Sequence, residues 1–284
     1  MQRTTQQERA EAFHRLHAGD KTLVLVNAWD AASARLFEQA GSPAIATTSA
    51  GLAWSLGYSD GERMSMRELI QACERICRVV TAPVSVDIER GFGRTPAEVC
   101  ETARALLELG VVGINIEDGS APGGRELVPP GVLAEKISAI RAVAEEFGVR
   151  LFINARTDTY FVYTAEGGDP LARYDEAVRR ARIYIDAGAD GIFAPGLESI
   201  EEMERMARDV ASPLNIYAGY AGLPPVAALQ RAGVRRVSLG CGPFQAALAL
   251  ARRVATEALN DGTYNAMTVS MLSAGEVNNL FLNA

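Results

Sequence analysis

Eight short runs of β-branched and apolar residues recur from Thr22 onward, each followed by a longer segment of helical period. They are TLVLVN from Thr22, PAIATT from Pro43, PVSVD from Pro83, VGINIE from Val112, RLFINA from Arg150, DGIFAP from Asp190, PLNIYA from Pro213 and RRVSLG from Arg235. Short β-branched runs alternating with longer helical segments are the pattern of a parallel sheet, the helical segments supplying the crossovers it needs. Eight repeats match the closed (β/α)8 TIM barrel rather than the five or six strands of an open doubly wound sheet. A chain of 284 residues, 48% of them hydrophobic, is long enough to bury such a core as a single domain spanning residues 1–284.

Local signals agree with the repeat. Thr95 followed by Pro96, with Glu98 three residues after the cap and Gly110 at the far end, predicts a helix over Thr95–Leu109. EEFG at Gly148, DAGAD around Gly188 and QRAG at Gly233 repeat the same helix, glycine, strand punctuation. The stretch richest in Gly and Pro, GSAPGGRELVPPG from Gly119 to Gly131, falls between the fourth run and its helix, so it reads as a mobile βα loop rather than a linker. After the eighth run, GCGPFQAALALARRVATEAL predicts a helix, and residues 261–284 continue with an apolar pattern around Val269–Leu282. A single barrel does not need this helical tail, which either caps the barrel bottom or packs against another subunit.

Charge and composition narrow the function. A net charge of −7 argues against a surface that neutralises nucleic-acid phosphates or anionic lipid. The N-terminus is polar, and no later segment reaches the roughly 18 consecutive apolar residues of a membrane span, so a soluble cytoplasmic protein acting on small molecules is expected. Cys73, Cys77, Cys100 and Cys241 lack zinc-site spacing and read as buried thiols. His14 and His17, the only histidines, lie in the polar N-terminal segment and read as solvated, which leaves no histidine base and excludes a Ser-His-Asp triad.

In a barrel of this kind, polar residues at the C-terminal ends of strands face the site. Those ends carry Asn27, Thr47 to Ser49, Asp87 with Glu89, Glu117 with Asp118, Asn154 with Arg156, and Asn215. Acidic groups therefore end two neighbouring strands. Carboxylates brought together repel unless a cation joins them, and oxygen donors without His or Cys favour Mg2+, or Mn2+, over zinc. Because Mg2+ keeps several waters, one or two direct carboxylate bonds are expected. Helix capping or simple solvation of these carboxylates is the alternative. Arg156 can bind a carboxylate or a developing enolate oxygen, or it can pair with Glu117. The segment TTSAGLAWSLGYSD after the second run offers backbone N–H groups for an anion or oxyanion pocket, or is a plain loop.

DIERGFG resembles the D-x-D-x-G-[YF]-G signature of the isocitrate lyase/phosphoenolpyruvate mutase superfamily, with Glu89 in the second acidic place. NAWDAASARLFEQAG, LGYSD, GINIEDG, INARTD and DAGADGIF resemble further family segments in the same order, so the resemblance covers nearly the whole chain. It implies that Asp87 binds Mg2+ directly and that Asp60, Glu89 and Glu117 reach the ion through water. Arg156 and Glu117 become the catalytic candidates, Arg156 on the oxygen at C2 of a 2-oxo acid or its enolate. Thr48, Ser49 and Ala50 would seat the substrate carboxylate, largely through backbone N–H groups, and Asn215 joins the substrate-binding candidates. Members cleave or form a C–C or P–C bond beside a pyruvyl unit through an enolate stabilised by Mg2+. They tend to form tetramers that swap a C-terminal helix, which would account for the tail as part of a homotetramer or homodimer.

The departures from the family pattern matter as much. Lyases of this group carry a K-[KR]-C-G-H loop whose Cys protonates the departing fragment, whereas GSAPGGRELVPP has neither Cys nor His. Pro195 and Gly196 stand where lyases place a Glu, and the aromatic residue of the mutase is replaced near Ala46, with Trp54 as a substitute. The expected activity is a Mg2+-dependent lyase acting on a small 2-oxo or 2-hydroxy carboxylic acid. Decarboxylation suits it, because CO2 needs no acid to leave. Phosphonopyruvate hydrolysis or mutation, and a 2-oxo acid binding protein without turnover, remain the alternatives.

Overall fold

Strands buried on both faces must find hydrogen-bonding partners on both edges, and a closed barrel meets that demand without leaving an edge. The computed structural model describes residues 3–119, 126–165, 167 and 169–282. Its strands are β1 (Leu23–Leu25), β2 (Asn27–Ala28), β3 (Ile45–Thr47), β4 (Val84–Asp87), β5 (Gly113–Glu117), β6 (Phe152–Arg156), β7 (Gly191–Phe193), β8 (Leu214–Tyr217) and β9 (Val234–Ser238). Each falls within one of the eight runs to within a residue at either end. All neighbouring pairs are parallel. The order runs β1-β9-β8-β7-β6-β5-β4-β3-β2. The first run is divided at Val26: β1 pairs with β9 and β2 with β3, and this closes the sheet into the expected (β/α)8 barrel.

The helices are α1 (Arg3–Ala18), α2 (Ala31–Gln39), α3 (Ser49–Ser55), α4 (Met66–Val79), α5 (Pro96–Glu108), α6 (Pro130–Phe147), α7 (Thr159–Ala165), α8 (Pro170–Asp186), α9 (Ile200–Val210), α10 (Val226–Arg231), α11 (Gly242–Asn260), α12 (Asn265–Thr268) and α13 (Ala274–Asn279). Helix α5 begins where its sequence signals say. Thr95 caps it, Glu98 completes the capping box, and Pro96 opens the first turn. Helix α6 stops at Gly148, whose φ of +70° is a left-handed conformation that glycine adopts without a Cβ clash.

Register carries side-chain direction into the interior. Asn115 pairs with Asn154 and Asp87 with Asn115, while Glu117 pairs with Arg156 two residues further up. Because side chains alternate along a strand, Asp87, Asn115, Glu117, Asn154 and Arg156 all face the lumen. Below the mouth the lumen is polar rather than filled only with branched apolar side chains. Asn154 Nδ2 donates to Asn115 Oδ1 at 2.9 Å. Arg236, fully buried, reaches across from β9, its Nη2 3.4 Å from the same Asn115 oxygen and its Nε 3.1 Å from Ser238 Oγ.

The barrel bottom is closed by α1, which corrects the reading of the N-terminal segment. Phe13 meets Phe152 edge-on at 5.5 Å, and a Cβ at Gly113 would lie 2.6 Å from the Phe13 ring, so glycine is required there. His17 is not solvated: it is 2% exposed, stacks on Phe152 at 3.9 Å and bonds to Phe13 O through Nδ1. Burial, reinforced by Arg236, pushes its pKa down to about 3, so it is neutral at physiological pH. His14 is half-buried against Arg150 O. Both rings lie at the end of the barrel opposite the strand C-termini, against Phe152.

All four cysteines are free, but only Cys73 is fully buried; the others are partly exposed. No helix among the described residues is long and apolar enough to cross a membrane. The tail leaves the barrel bottom to α1. Phe244, in the first turn of α11, packs on Trp29 at 5.0 Å and Trp54 at 5.9 Å, whereas Leu248, Leu250 and Leu259 further along are exposed. Beyond α13 the chain returns to α2, where Arg35 Nε donates to Leu280 O at 2.8 Å.

Truncating the bottom plug removes a fully buried ring. Phe13→Ala is expected to cost about 3–5 kcal/mol of unfolding free energy in urea denaturation. A loss below about 1 kcal/mol would mean that α1 is not part of the barrel's core.

Candidate active site

The strand C-termini bring the predicted carboxylates to one mouth. Asp87 ends β4, and its position is set by neighbours on β3 and α3. Thr47 Oγ1 accepts from Asp87 N at 2.9 Å, and Ser49 Oγ donates to Asp87 Oδ2 at 2.9 Å. Glu89 follows with a φ of +50°, a left-handed backbone unusual for a residue with a side chain. That turn points Glu89 N at Asp87 Oδ1, 3.3 Å away, and lets Glu89 O accept from Glu117 N at 2.8 Å. The two acidic strand ends are thus tied to each other through the backbone.

Glu89 is neither solvated nor a helix cap. It is 3% exposed, and its Oε1 is buried without a hydrogen-bond partner. Burial, with Asp87, Asp60 and Glu62 nearby, pushes its pKa from an ordinary 4.5 up to about 8. Protein packed around the Asp60 carboxylate, and Asp87 beside it, raise Asp60 as well. Glu117 is driven well above the carboxylate range by burial, against the pull of Arg156. These groups share one field.

Arg156 sits among them. Its Nη1 lies 3.0 Å from Glu117 Oε2, so the ion pair left open as an alternative is present. The larger grip comes from Asp158, which sequence reasoning left without a role: Nε to Oδ1 is 2.6 Å and Nη2 to Oδ2 is 3.1 Å, a bidentate pair. The signal was in the INARTD segment, where Asp158 lies two residues past Arg156. Burial works against the guanidinium charge, but Asp158, Glu117 and Asp87 hold its pKa well above the usual value. Phe161 and Phe193 place their rings 6.0 and 5.9 Å from the guanidinium carbon.

The other candidates divide. Thr48 caps α3, with Ser49 and Ala50 in its first turn, all three buried beside Asp87. Thr48 N is engaged with Ala28 O at 3.1 Å, so Thr48 brings its side chain rather than a free N–H. Asn215 is 1% exposed and faces the lumen; its Oδ1 accepts from Ser238 Oγ at 3.2 Å and its Nδ2 has no partner. Tyr217, at the end of β8, was not singled out from sequence. Its ring is seated between Gly219 and Gly240, where a Cβ would come within 2.0 and 2.5 Å of it. Its OH lies 3.5 Å from Cys241 Sγ. Trp54 stacks on Phe244. Of the 119–131 loop, residues 120–125 lie outside the described residues, and whether that loop supplies an acid lies there with them.

Among the described residues, no three His, Cys, Asp or Glu side chains converge closely enough to ligate one ion directly. The donor set nonetheless fits a hard cation held by a single carboxylate and reached by others through water. All the acidic groups offer oxygen, Asp87 stands at their centre, and Glu89 Oε1 is left without a donor. Because folding raises the Glu89 pKa, its stabilising contribution is complete below about pH 4.5 and is lost as the pH rises through about 8. Thermal melts in the absence of divalent cations are expected to show wild-type protein losing stability over that interval more steeply than Glu89→Gln. Equal slopes would mean that Glu89 is not desolvated.

The phosphoenolpyruvate phosphomutase family model matches residues 13–259. A 2-methylisocitrate lyase of Halalkalibacterium halodurans is 30% identical over 282 residues, covering 96% of this chain and 89% of the relative. An oxaloacetate decarboxylase of Pseudomonas fluorescens is 29% identical over 252 residues, covering 87% of this chain and 84% of the relative. The solved structure of 2,3-dimethylmalate lyase superposes with a TM-score of 0.82 at 26% identity, covering 96% of this chain and 94% of that one. The matched barrel and the acidic strand ends agree: the chain belongs to the phosphoenolpyruvate phosphomutase family, within the phosphoenolpyruvate mutase/isocitrate lyase superfamily.

Proposed function

We propose that this chain is a Mg2+-dependent enzyme that acts on a small 2-oxo or 2-hydroxy carboxylic acid through an enolate, and that it cleaves a C–C bond by decarboxylation. The observation that carries the reading is the Arg156 guanidinium, fixed by Asp158 and Glu117 beside the crowded carboxylates Asp87, Glu89 and Asp60. A fixed cation next to a site that calls for a second one is suited to an oxygen that gains negative charge. The names of the H. halodurans lyase and the P. fluorescens decarboxylase support the same chemistry.

In this reading Asp87 would hold Mg2+, or Mn2+, directly, and Asp60, Glu89 and Glu117 would reach it through water. The ion supplies positive charge beside the 2-oxo group and its carboxylate. Arg156 donates to the oxygen at C2, and Glu117 and Asp158 keep its fork turned toward that oxygen. Thr48, Ser49 and Ala50, at the start of α3, seat the carboxylate. When the C–C bond to the departing CO2 breaks, its electron pair passes into the enolate, whose oxygen faces Arg156; a proton from solvent then completes the product. Nothing need protonate CO2 as it leaves, which suits a loop sequence without Cys or His.

A second reading, phosphonopyruvate hydrolysis or mutation, is favoured by the family model. The assembly in either case is a homodimer or homotetramer. Helix α11 exposes Leu248, Leu250 and Leu259, while Leu16, Leu23, Val24 and Phe37 line an open groove of 620 Å3 beside β1. Such surfaces on different copies are suited to cover each other.

Incubation with oxaloacetate and Mg2+ is expected to release pyruvate and CO2, while phosphonopyruvate yields no phosphate. Asp87→Ala should lower turnover by more than about 100-fold. Phosphate release would favour the second reading, and full Mg2+-dependent turnover by Asp87→Ala would remove the metal assignment. Light scattering is expected to show a particle of two or four chains, reduced toward a monomer by Leu248→Glu; an unchanged particle would exclude α11 from the contact.

A further inference from the structure

Asp118 has no part in the chemistry above, yet it is 0% exposed and lies one residue beyond Glu117. Side chains alternate there, so Asp118 turns away from the lumen, and its two oxygens gather four donors. Asp158 N donates to Oδ1 at 2.9 Å. Tyr184 OH, Thr157 Oγ1 and Arg180 Nη1 approach Oδ2 at 2.7, 2.9 and 3.1 Å. Arg180 Nη1 also donates to Val128 O at 2.8 Å, and Val128 N returns to Asp118 O at 2.9 Å, just beyond the bridge between Gly119 and Leu127. One buried carboxylate thus joins the exit of β6, the helix α8 and the segment leading into α6.

The chain of contacts ends on the proposed catalytic group. The residue whose N–H Asp118 holds is Asp158, and Asp158 grips the Arg156 guanidinium with both oxygens. We propose that Asp118 is a positioning residue: through the main chain of Asp158 it sets the fork of Arg156 over the carboxylate mouth, and through Arg180 it ties that placement to the chain at Val128. The inference rests on the enolate reading of the mouth. A buried carboxylate with four donors holds its neighbours to one geometry, because shifting any of them strands a polar group away from water. An angstrom of misplacement in a group that must meet a developing charge is enough to cost rate.

The test uses oxalate, a planar dianion that presents a carboxylate and an adjacent oxygen as an enolate of pyruvate does. Its binding at saturating Mg2+ is measured by calorimetry for wild-type protein, Asp118→Asn, Asp158→Asn, their double variant and Tyr184→Phe, alongside Mn2+ affinity and melting temperature. Asp118→Asn is expected to weaken oxalate about tenfold and to lower kcat more than it raises KM, with Mn2+ affinity unchanged. Tyr184→Phe, remote from the mouth, should weaken oxalate in the same direction by about twofold to threefold, and it carries the test if Asp118→Asn fails to fold. Because Asp118 acts through Asp158, the double variant should bind oxalate no worse than Asp158→Asn alone. Variants that melt earlier but bind oxalate as wild type does, or losses that simply add, would overturn the proposal. Wild-type protein that ignores oxalate would instead overturn the enolate reading on which it stands.

Discussion

Negative charge gathered at one end of a barrel is the constraint around which this structure is arranged. Asp60, Asp87, Glu89, Glu117 and Asp158 gather in the same small region: Asp87 raises the proton affinity of Asp60, Glu89 and Glu117, Asp60 that of Glu89, Glu89 that of Glu117, and Asp158 that of Asp60 and Glu117. Such a cluster is costly to bury, so its surroundings supply what compensation they can. Arg156 is held among the carboxylates by Glu117 and Asp158, and Arg236 approaches Asp87 from beneath, through the lumen, with enough burial to bring its own pKa down to about 9. The compensation is partial. Glu89 keeps a buried oxygen without a donor, and its backbone sits in a left-handed conformation. Departures of this kind gather where a fold gives up stability for chemistry.

The same constraint accounts for the unusual interior. A barrel lumen is normally filled by layers of branched apolar side chains. Here Ser85, Asn115, Asn154, Asn215, Arg236 and Ser238 are buried below the mouth, and hydrogen bonds link Asn154 to Asn115, Asn115 to Arg236, Arg236 to Ser238 and Ser238 to Asn215. That polar column carries Arg236 toward the acidic end. It ends on the aromatic plug of Phe13, His17 and Phe152, where α1 shuts the bottom and a neutral histidine tolerates the cation above it.

Much of this was legible in the sequence because short β-branched runs alternate with longer segments of helical period, and eight such repeats leave few alternatives to a barrel. Placement at strand ends then picked out Asp87, Glu89, Glu117 and Arg156. The parts that were not legible depend on contacts between segments far apart in the chain. The polar sequence of α1 hides two faces: Gln6 bonds to Leu107 O and Val111 O, and Phe13 and His17 enter the barrel bottom, so the histidines were read as solvated. Asn215 looks like a strand-end residue, but β8 runs on to Tyr217, and Asn215 Oδ1 accepts from Ser238 Oγ within the lumen. Asp118 and Asp158 sit beside predicted site residues, but spacing alone cannot say which acid faces the lumen, which grips Arg156 and which anchors the chain behind it.

In the proposed function a divalent cation completes the charge balance of the mouth through Asp87. Anomalous diffraction from crystals soaked in Mn2+ tests it most directly. One peak is expected at the strand C-termini, within direct coordination distance of Asp87, with Asp60, Glu89 and Glu117 separated from it by ordered water. A fully soaked crystal with no peak at the mouth, or a peak coordinated by Glu89 and Glu117 without Asp87, would contradict it.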